Sequence, residues 1–295
     1  MARSANPART VESVTQRRFR SLGALGWLGI CMLVGLAGVA IAGDSISGYA
    51  YDLQAPDRAL EGPSADHWMG TDALGRDLAS RLAEGARVSL IIAVASTAIA
   101  LVIGLAFGGL SGYVGGRLDG FLMRVVDVLY SLPDILLIIL IKQLLETGLS
   151  DVPDLYRTLV AVVLALAFSS WIAVARLVRG LVLQAREEAW VEAARAVGVR
   201  GSRILLRHIL PNIAGPILVT LSFRVPAAIL AESTVSFIGL GIQPPFASWG
   251  VLASDGFQAM RSYPYLILFP GLAIAATLLA FYWLGDALRD ALASR

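Results

Sequence analysis

Long apolar runs alternate with short polar connections along this chain. A helix needs roughly 20 apolar residues to cross the hydrocarbon core of a bilayer. Five or six runs of that order occur: Leu22 to Ala42, Val88 to Leu110, Val125 to Leu145, Leu159 to Val178, Ile213 to Ile238 and Tyr265 to Leu284. The third and fifth are the least clean. Asp127 and Asp134 sit in the third, while Arg224, Pro226 and Glu232 interrupt the fifth, where a central charge costs about 2.5–3.5 kcal/mol on insertion scales. The pattern predicts an all-α integral membrane protein with six spans. It divides the chain into an N-terminal tail over 1–21, a first span with a long polar loop over 22–87, and a five-helix core over 88–295.

Composition agrees: 57% of the 295 residues are hydrophobic and only 16% charged, with mean hydropathy +0.71, outside the range of soluble domains. A net charge of +2 is too small to point to nucleic acid, so the placement of the arginines matters more than their sum. Arg3, Arg9, Arg17, Arg18 and Arg20 precede the first run, and Arg176, Arg179, Arg186, Arg195, Arg200, Arg203 and Arg207 surround the connection between the fourth and fifth. The positive-inside rule puts both regions in the cytoplasm, and six spans then bring the C-terminus to the same side. The loop from Gly43 to Arg87 carries eight carboxylates against four arginines and faces outward. The first run also has features of a signal peptide, with arginines before it and Ala40-Ile41-Ala42 near its end. A secretory apolar region is about 7–15 residues, and this run is longer, which favours an uncleaved span.

The polar segment EEAWVEAARAVGVRGSRILLRHILPN, residues 187–212, protrudes on the cytoplasmic side in this arrangement. Trp190, Ala193, Ala194 and Val197 recur at i, i+3, i+4 and i+7, forming one apolar stripe, with Glu188, Glu192 and Arg195 on the other side. A short amphipathic helix follows, with Glu187 and Glu188 at the positive end of its dipole and Gly198 supplying a left-handed residue at its end. Ser202 is placed to cap a second helix that carries Ile204, Leu205 and Ile209 toward Pro211 and the next span. Two readings of the element stand side by side: a helix lying on anionic headgroups, or a knob whose small alanines and Trp190 anchor enter a groove on a partner protein.

Glu192-Ala193-Ala194, three residues, Gly198, and then Leu210-Pro211 resemble the EAA loop of ATP-binding cassette (ABC) importer permeases, E-A-A-x3-G-x9-I-x-L-P, with His208 where the pattern has isoleucine. Two more stretches resemble the C-type permease subunit of dipeptide and oligopeptide importers. One runs from His67-Trp68-Met69-Gly70-Thr71-Asp72 through Gly75-Arg76-Asp77 to Leu90; the other is SFIGLGIQPPFASWG, Ser236 to Gly250, with GDALRDAL at Gly285 to Leu292. The resemblance implies the type I ABC importer permease fold in a bacterial cytoplasmic membrane. It implies a non-catalytic subunit working with a homologous B-type permease, two cytoplasmic ATPases that bind ATP and Mg²⁺, and an extracytoplasmic peptide-binding protein. It also makes residues of about 186–212 the coupling helix, with Ala193, Ala194 and Gly198 as close-contact positions, Glu192 as a polar contact, and Trp190 and Pro211 within the ATPase-coupling element.

Within this chain no G-x-x-x-x-G-K-[ST] loop is present to cradle nucleotide phosphates, so nothing here is expected to be catalytic or to hold a cofactor. Cys31 is the only cysteine, and His67 and His208 lack ligand spacing, so no metal site is expected. Arg224 and Glu232 are the most expensive residues to place in lipid. They stand about two turns apart, either as lining of a translocation path or as ion-pair partners of each other or of a second subunit. Pro226 between them is a candidate hinge. Thr71 is placed to cap an outer interfacial helix carrying Leu74, Leu78 and Leu82, with Asp77 and Arg81 paired at i, i+4; the helix is read as a brace or a substrate contact. The rival from another class is a proton-coupled secondary transporter using Asp127, Asp134 or Glu232. No inverted repeat supports it.

Overall fold

The computed structural model of the protein describes residues 23–149 and 151–293. The N-terminal arginines and the start of the first run at Leu22 lie outside the described residues. In chain order the helices are α1 (Ala24–Ser47), α2 (Leu78–Val114), α3 (Gly116–Tyr130), α4 (Asp134–Gly148), α5 (Asp154–Arg186), α6 (Ala189–Ala196), α7 (Gly201–Ile204), α8 (Leu210–Asn212), α9 (Ala214–Phe237), α10 (Trp249–Ala259) and α11 (Tyr265–Ala293). Among the described residues, α1, α2, α5, α9 and α11 are long and apolar enough to cross a membrane.

The third apolar run is not one straight span. It breaks at Ser131–Pro133 into α3 and α4, of 15 residues each, and each rises only about 22 Å against a hydrocarbon core of about 30 Å. Pro133 has no N–H to continue the helix and disfavours helical backbone at Leu132. The apolar residues of α3 lie on more than one side, with Val126 buried and Phe121 and Val128 exposed.

The centre of the fold is the pair α2 and α5, the most extensive helix contact in the molecule. Gly104, Gly108 and Gly112 form a ridge at i, i+4, i+8 on α2, which lets the two backbones approach closely. A Cβ on Gly104 would stand 2.5 Å from Val174, one on Gly112 would stand 2.8 Å from the Arg179 carbonyl, and one on Gly108 would collide with the Ala175 carbonyl. Around this pair, α9 and α10 pack on α2, α4 packs on α5, and α11 packs on α1, α9 and α10.

The helix ends gather into two groups. At one end the start of α2 meets α10, the turn after α9 and the 43–77 loop; at the other, the ends of α2, α5 and α11 meet α6 and the start of α9. These are called the His67 end and the Trp190 end. The expected outer helix does not begin at Thr71: Leu78 and Leu82 belong to the first turns of α2, and Leu74 precedes it. Residues 71–77 form a tight loop closed by a Thr71–Asp77 bridge, and α2 starts at Leu78 with Asp77, not Thr71, as its N-cap, accepting from the Ser80 N–H at 2.8 Å.

Candidate functional site

At the Trp190 end, α5 runs directly into α6. Val191 is fully buried and fixes α6 in a cluster with Val182 and Ala185 of α5, Ile204 of α7, Ile209, and Ile213 and Ile217 at the start of α9. Val191 lies outside the stripe read from the sequence. Of that stripe, Ala194 turns partly inward against the cluster, while Trp190, Ala193 and Val197 face outward; Val197 is 79% exposed. Glu192 and Arg195 are exposed as well. Gly198 has φ +78°, the left-handed conformation expected of it. Ser202 is not the cap: Arg200 occupies that position and Ser202 lies inside α7.

After α7 the backbone widens into a π-turn over Leu205–Ile209, just before Pro211, whose missing N–H cannot continue the ordinary helix ladder. Trp190, Arg207, His208, Pro211 and Asn212 line a shallow open recess of about 470 Å³ beside α6. The element therefore has one face anchored in the core and one apolar face open, next to a recess.

Three arginines on the last turns of α5 hold α3 and the end of α2. Arg179 makes a two-pronged contact with Asp119, Arg176 pairs with Asp127 and stacks over Tyr130 at 4.0 Å, and Arg186 donates to the Gly112 carbonyl at 3.1 Å. The hydrogen bonds of the Arg179 guanidinium, helped by the Ser111 hydroxyl and opposed by partial burial, hold the Asp119 carboxyl below the usual carboxylate range.

Midway along the spans, Tyr130, Asp134, Ser169, Ser170, Ala173, Arg224, Ala227 and Ala231 are among the residues around an open cavity of about 480 Å³. Arg224 is half-buried there and has no ion-pair partner among the described residues. Glu232 is elsewhere. It is 1% exposed and accepts hydrogen bonds from Ser236 at 2.7 Å, Ser89 of α2 at 3.2 Å and Ser233 at 3.5 Å. Ser89 in turn accepts from the Trp249 N–H at 3.3 Å, and the Trp249 indole donates to the Leu82 carbonyl at 3.1 Å. Glu232 thus ties α9 to α2 and α10, and the two residues read together from the sequence serve different places. Pro226 is buried within α9, which stays helical from Ala214 to Phe237.

The His67 end holds a buried charged network. Asp72 accepts from Arg76 at 2.7 Å and Arg81 at 2.5 Å, with Asp255 of α10 3.7 Å from Arg81. Asp77 pairs with His67 at 2.8 Å instead of with Arg81. Burial raises the Asp72 carboxyl, but the Arg76 backbone N–H and the charges of Arg81 and Arg76 outweigh it and leave it below the ordinary value. Sequence periodicity missed this network because its members alternate in a loop; the density of charge in H-x-x-G-T-D-x-x-G-R-D is the signal that points to it.

A bundle of membrane-length helices with a small amphipathic helix projecting at its arginine-rich end, and a polar cavity midway, defines a membrane-embedded transport subunit. The family model described as "Binding-protein-dependent transport system inner membrane component" matches residues 102–295, and the chain belongs to that family. It is 41% identical to the oligopeptide transport system permease protein OppC of Bacillus subtilis (strain 168), over 93% of this chain and 87% of that protein. It is 42% identical to the dipeptide transport system permease protein DppC of the same organism, over 95% and 85%. With the glutathione transport system permease protein GsiD of Pectobacterium atrosepticum it shares 42% identity over 80% and 75%.

Proposed function

We propose that this chain is a permease subunit of an ATP-binding cassette importer that carries di- or oligopeptides across the cytoplasmic membrane. It works as a heterodimer with a homologous B-type permease, with two cytoplasmic ATPases that bind and hydrolyse Mg-ATP and an extracytoplasmic peptide-binding protein. The Trp190 end is cytoplasmic and the His67 end faces out, in keeping with the arginines on α5, α6 and α7. The observation that carries the reading is α6 itself: Val191 is sealed in the core while Trp190, Ala193 and Val197 are left open.

Closure of the ATPases on ATP moves α6, which Glu192, Ala193, Ala194 and Gly198 hold against them, with Trp190 and the Pro211 recess forming the rest of the contact. Because α5 is continuous up to Arg186 and α3 is pinned to it, the motion passes through Arg179 and Arg176 to Tyr130 at the edge of the mid-span cavity. Pro226 is the bend point of α9. Each partner shifts the inward–outward equilibrium only by its differential affinity for the two states. A proton relay has less behind it: of its three candidate carriers, Asp127 is engaged by Arg176 and Glu232 is enclosed by serines, which leaves only Asp134, on the cavity wall.

Uptake into vesicles holding the complete complex tests this. Peptide accumulation should require ATP on the ATPase side and vanish when the ATPases are omitted. Accumulation driven by an imposed proton gradient without ATPases would favour the secondary transporter.

A further inference from the structure

We infer that the mid-span cavity binds the C-terminal carboxylate of the cargo through Arg224, an inference that rests on the peptide reading above. Arg224 is the eleventh residue of the 24-residue α9, about 15 Å from its start, where an uncompensated charge is most costly. The arginines on the neighbouring α5 are all engaged: Arg157 by the Leu149 and Val152 carbonyls, Arg176 by Asp127, Arg179 by Asp119 and Arg186 by Gly112 and Glu187. Arg224 has neither an ion pair nor a hydrogen bond among the described residues, although it is half-buried and opens into the cavity.

A second observation concerns the hydroxyls beside it. Thr220, Ser222, Thr234 and Thr277 each donate to a backbone carbonyl of their own helix, the usual way to satisfy a hydroxyl in a span. Ser169 and Ser170, both on the cavity wall, make no hydrogen bond among the described residues. One cation and two unspent hydroxyls share the wall of a space of about 480 Å³ with a single carboxylate, Asp134, the Tyr130 ring and otherwise apolar side chains. A guanidinium fork matches a carboxylate with two parallel hydrogen bonds. Among peptides of varied side chain the terminal carboxylate is the constant feature, so a cation there serves every cargo.

The test uses the complete complex with a pool of synthetic di-, tri- and tetrapeptides, each as free acid and as C-terminal amide, counted by mass spectrometry inside the vesicles. A wild-type complex that accumulates neither form overturns the peptide reading and this inference with it. With uptake established, the cavity is read directly in the ATP-free complex without binding protein. Cys31→Ser with Ala173→Cys leaves this chain one reporter thiol on the cavity wall, and Ala227→Cys in the same background serves as a second. Trialanine should slow labelling of that thiol by a methanethiosulfonate reagent, trialanine amide should need a roughly tenfold higher concentration, and Arg224→Gln should abolish the difference. Equal or absent protection by the two forms, or a difference that survives Arg224→Gln, overturns the inference.

Discussion

Arg179 of α5 holds Asp119 of α3 by two parallel hydrogen bonds, from Nε at 2.6 Å and Nη2 at 2.7 Å. The pair is partly open to solvent, so it contributes only about 1 kcal/mol to stability; its importance lies in joining α3 to the helix that leads into α6. Asp119→Asn should leave the melting temperature within a few degrees of wild type while the ATP hydrolysed per peptide imported rises several-fold. Parallel loss of hydrolysis and uptake would show that the pair does not transmit motion.

The α2–α5 contact depends on the absence of side chains at Gly104, Gly108 and Gly112. Gly108→Ala forces a methyl into the Ala175 backbone and should destabilise the folded subunit by about 1–3 kcal/mol. Gly180→Ala on α5, with nothing within 4 Å of the added methyl, should be neutral or stabilising by a few tenths to about 1 kcal/mol. Thermal unfolding of the two purified variants in detergent makes the comparison.

Glu232 holds three helices together from inside. Glu232→Ala removes the acceptor for Ser89 and Ser236 and leaves a void, which should cost about 2–4 kcal/mol, and Glu232→Gln should recover part of it. A Glu232→Ala subunit with wild-type thermal stability would return this residue to the translocation path.

The Asp72 network gives a signed pH dependence. Its folded carboxyl lies below the unfolded value, so its stabilisation is fully present above about pH 4 and is lost as pH falls through the folded value. The melting temperature should therefore drop on acidification below about pH 4, and Asp72→Asn should flatten that drop while lowering stability at neutral pH.

Apolar run length located α1, α2, α5, α9 and α11 because a bilayer demands continuous hydrophobicity, and that demand is local in sequence. The break at Ser131–Pro133 was visible only as a proline among charges, and run length alone joined what the missing N–H separates. Thr71 looked like a cap because Leu74, Leu78 and Leu82 share a helical period; the loop instead closes on Thr71–Asp77, and the cap moved six residues on. At α6 the stripe of Trp190, Ala193 and Val197 was readable, but which side faced the core was not. Val191 decides that by joining a buried cluster that extends to residues as distant as Ile217. The separation of Glu232 from Arg224 likewise depends on Ser89, 143 positions away.

The central claim is that α6 docks on the ATPases, and co-purification of the complex measures it most directly. Wild type is compared with a Glu192→Arg, Gly198→Asp double variant, whose changes fall on the exposed side of α6 and on a left-handed residue with open space around it. Loss of the ATPases with the permease pair retained is the predicted result. ATPases that stay bound in wild-type amounts would contradict the claim and make α6 a helix of the membrane surface.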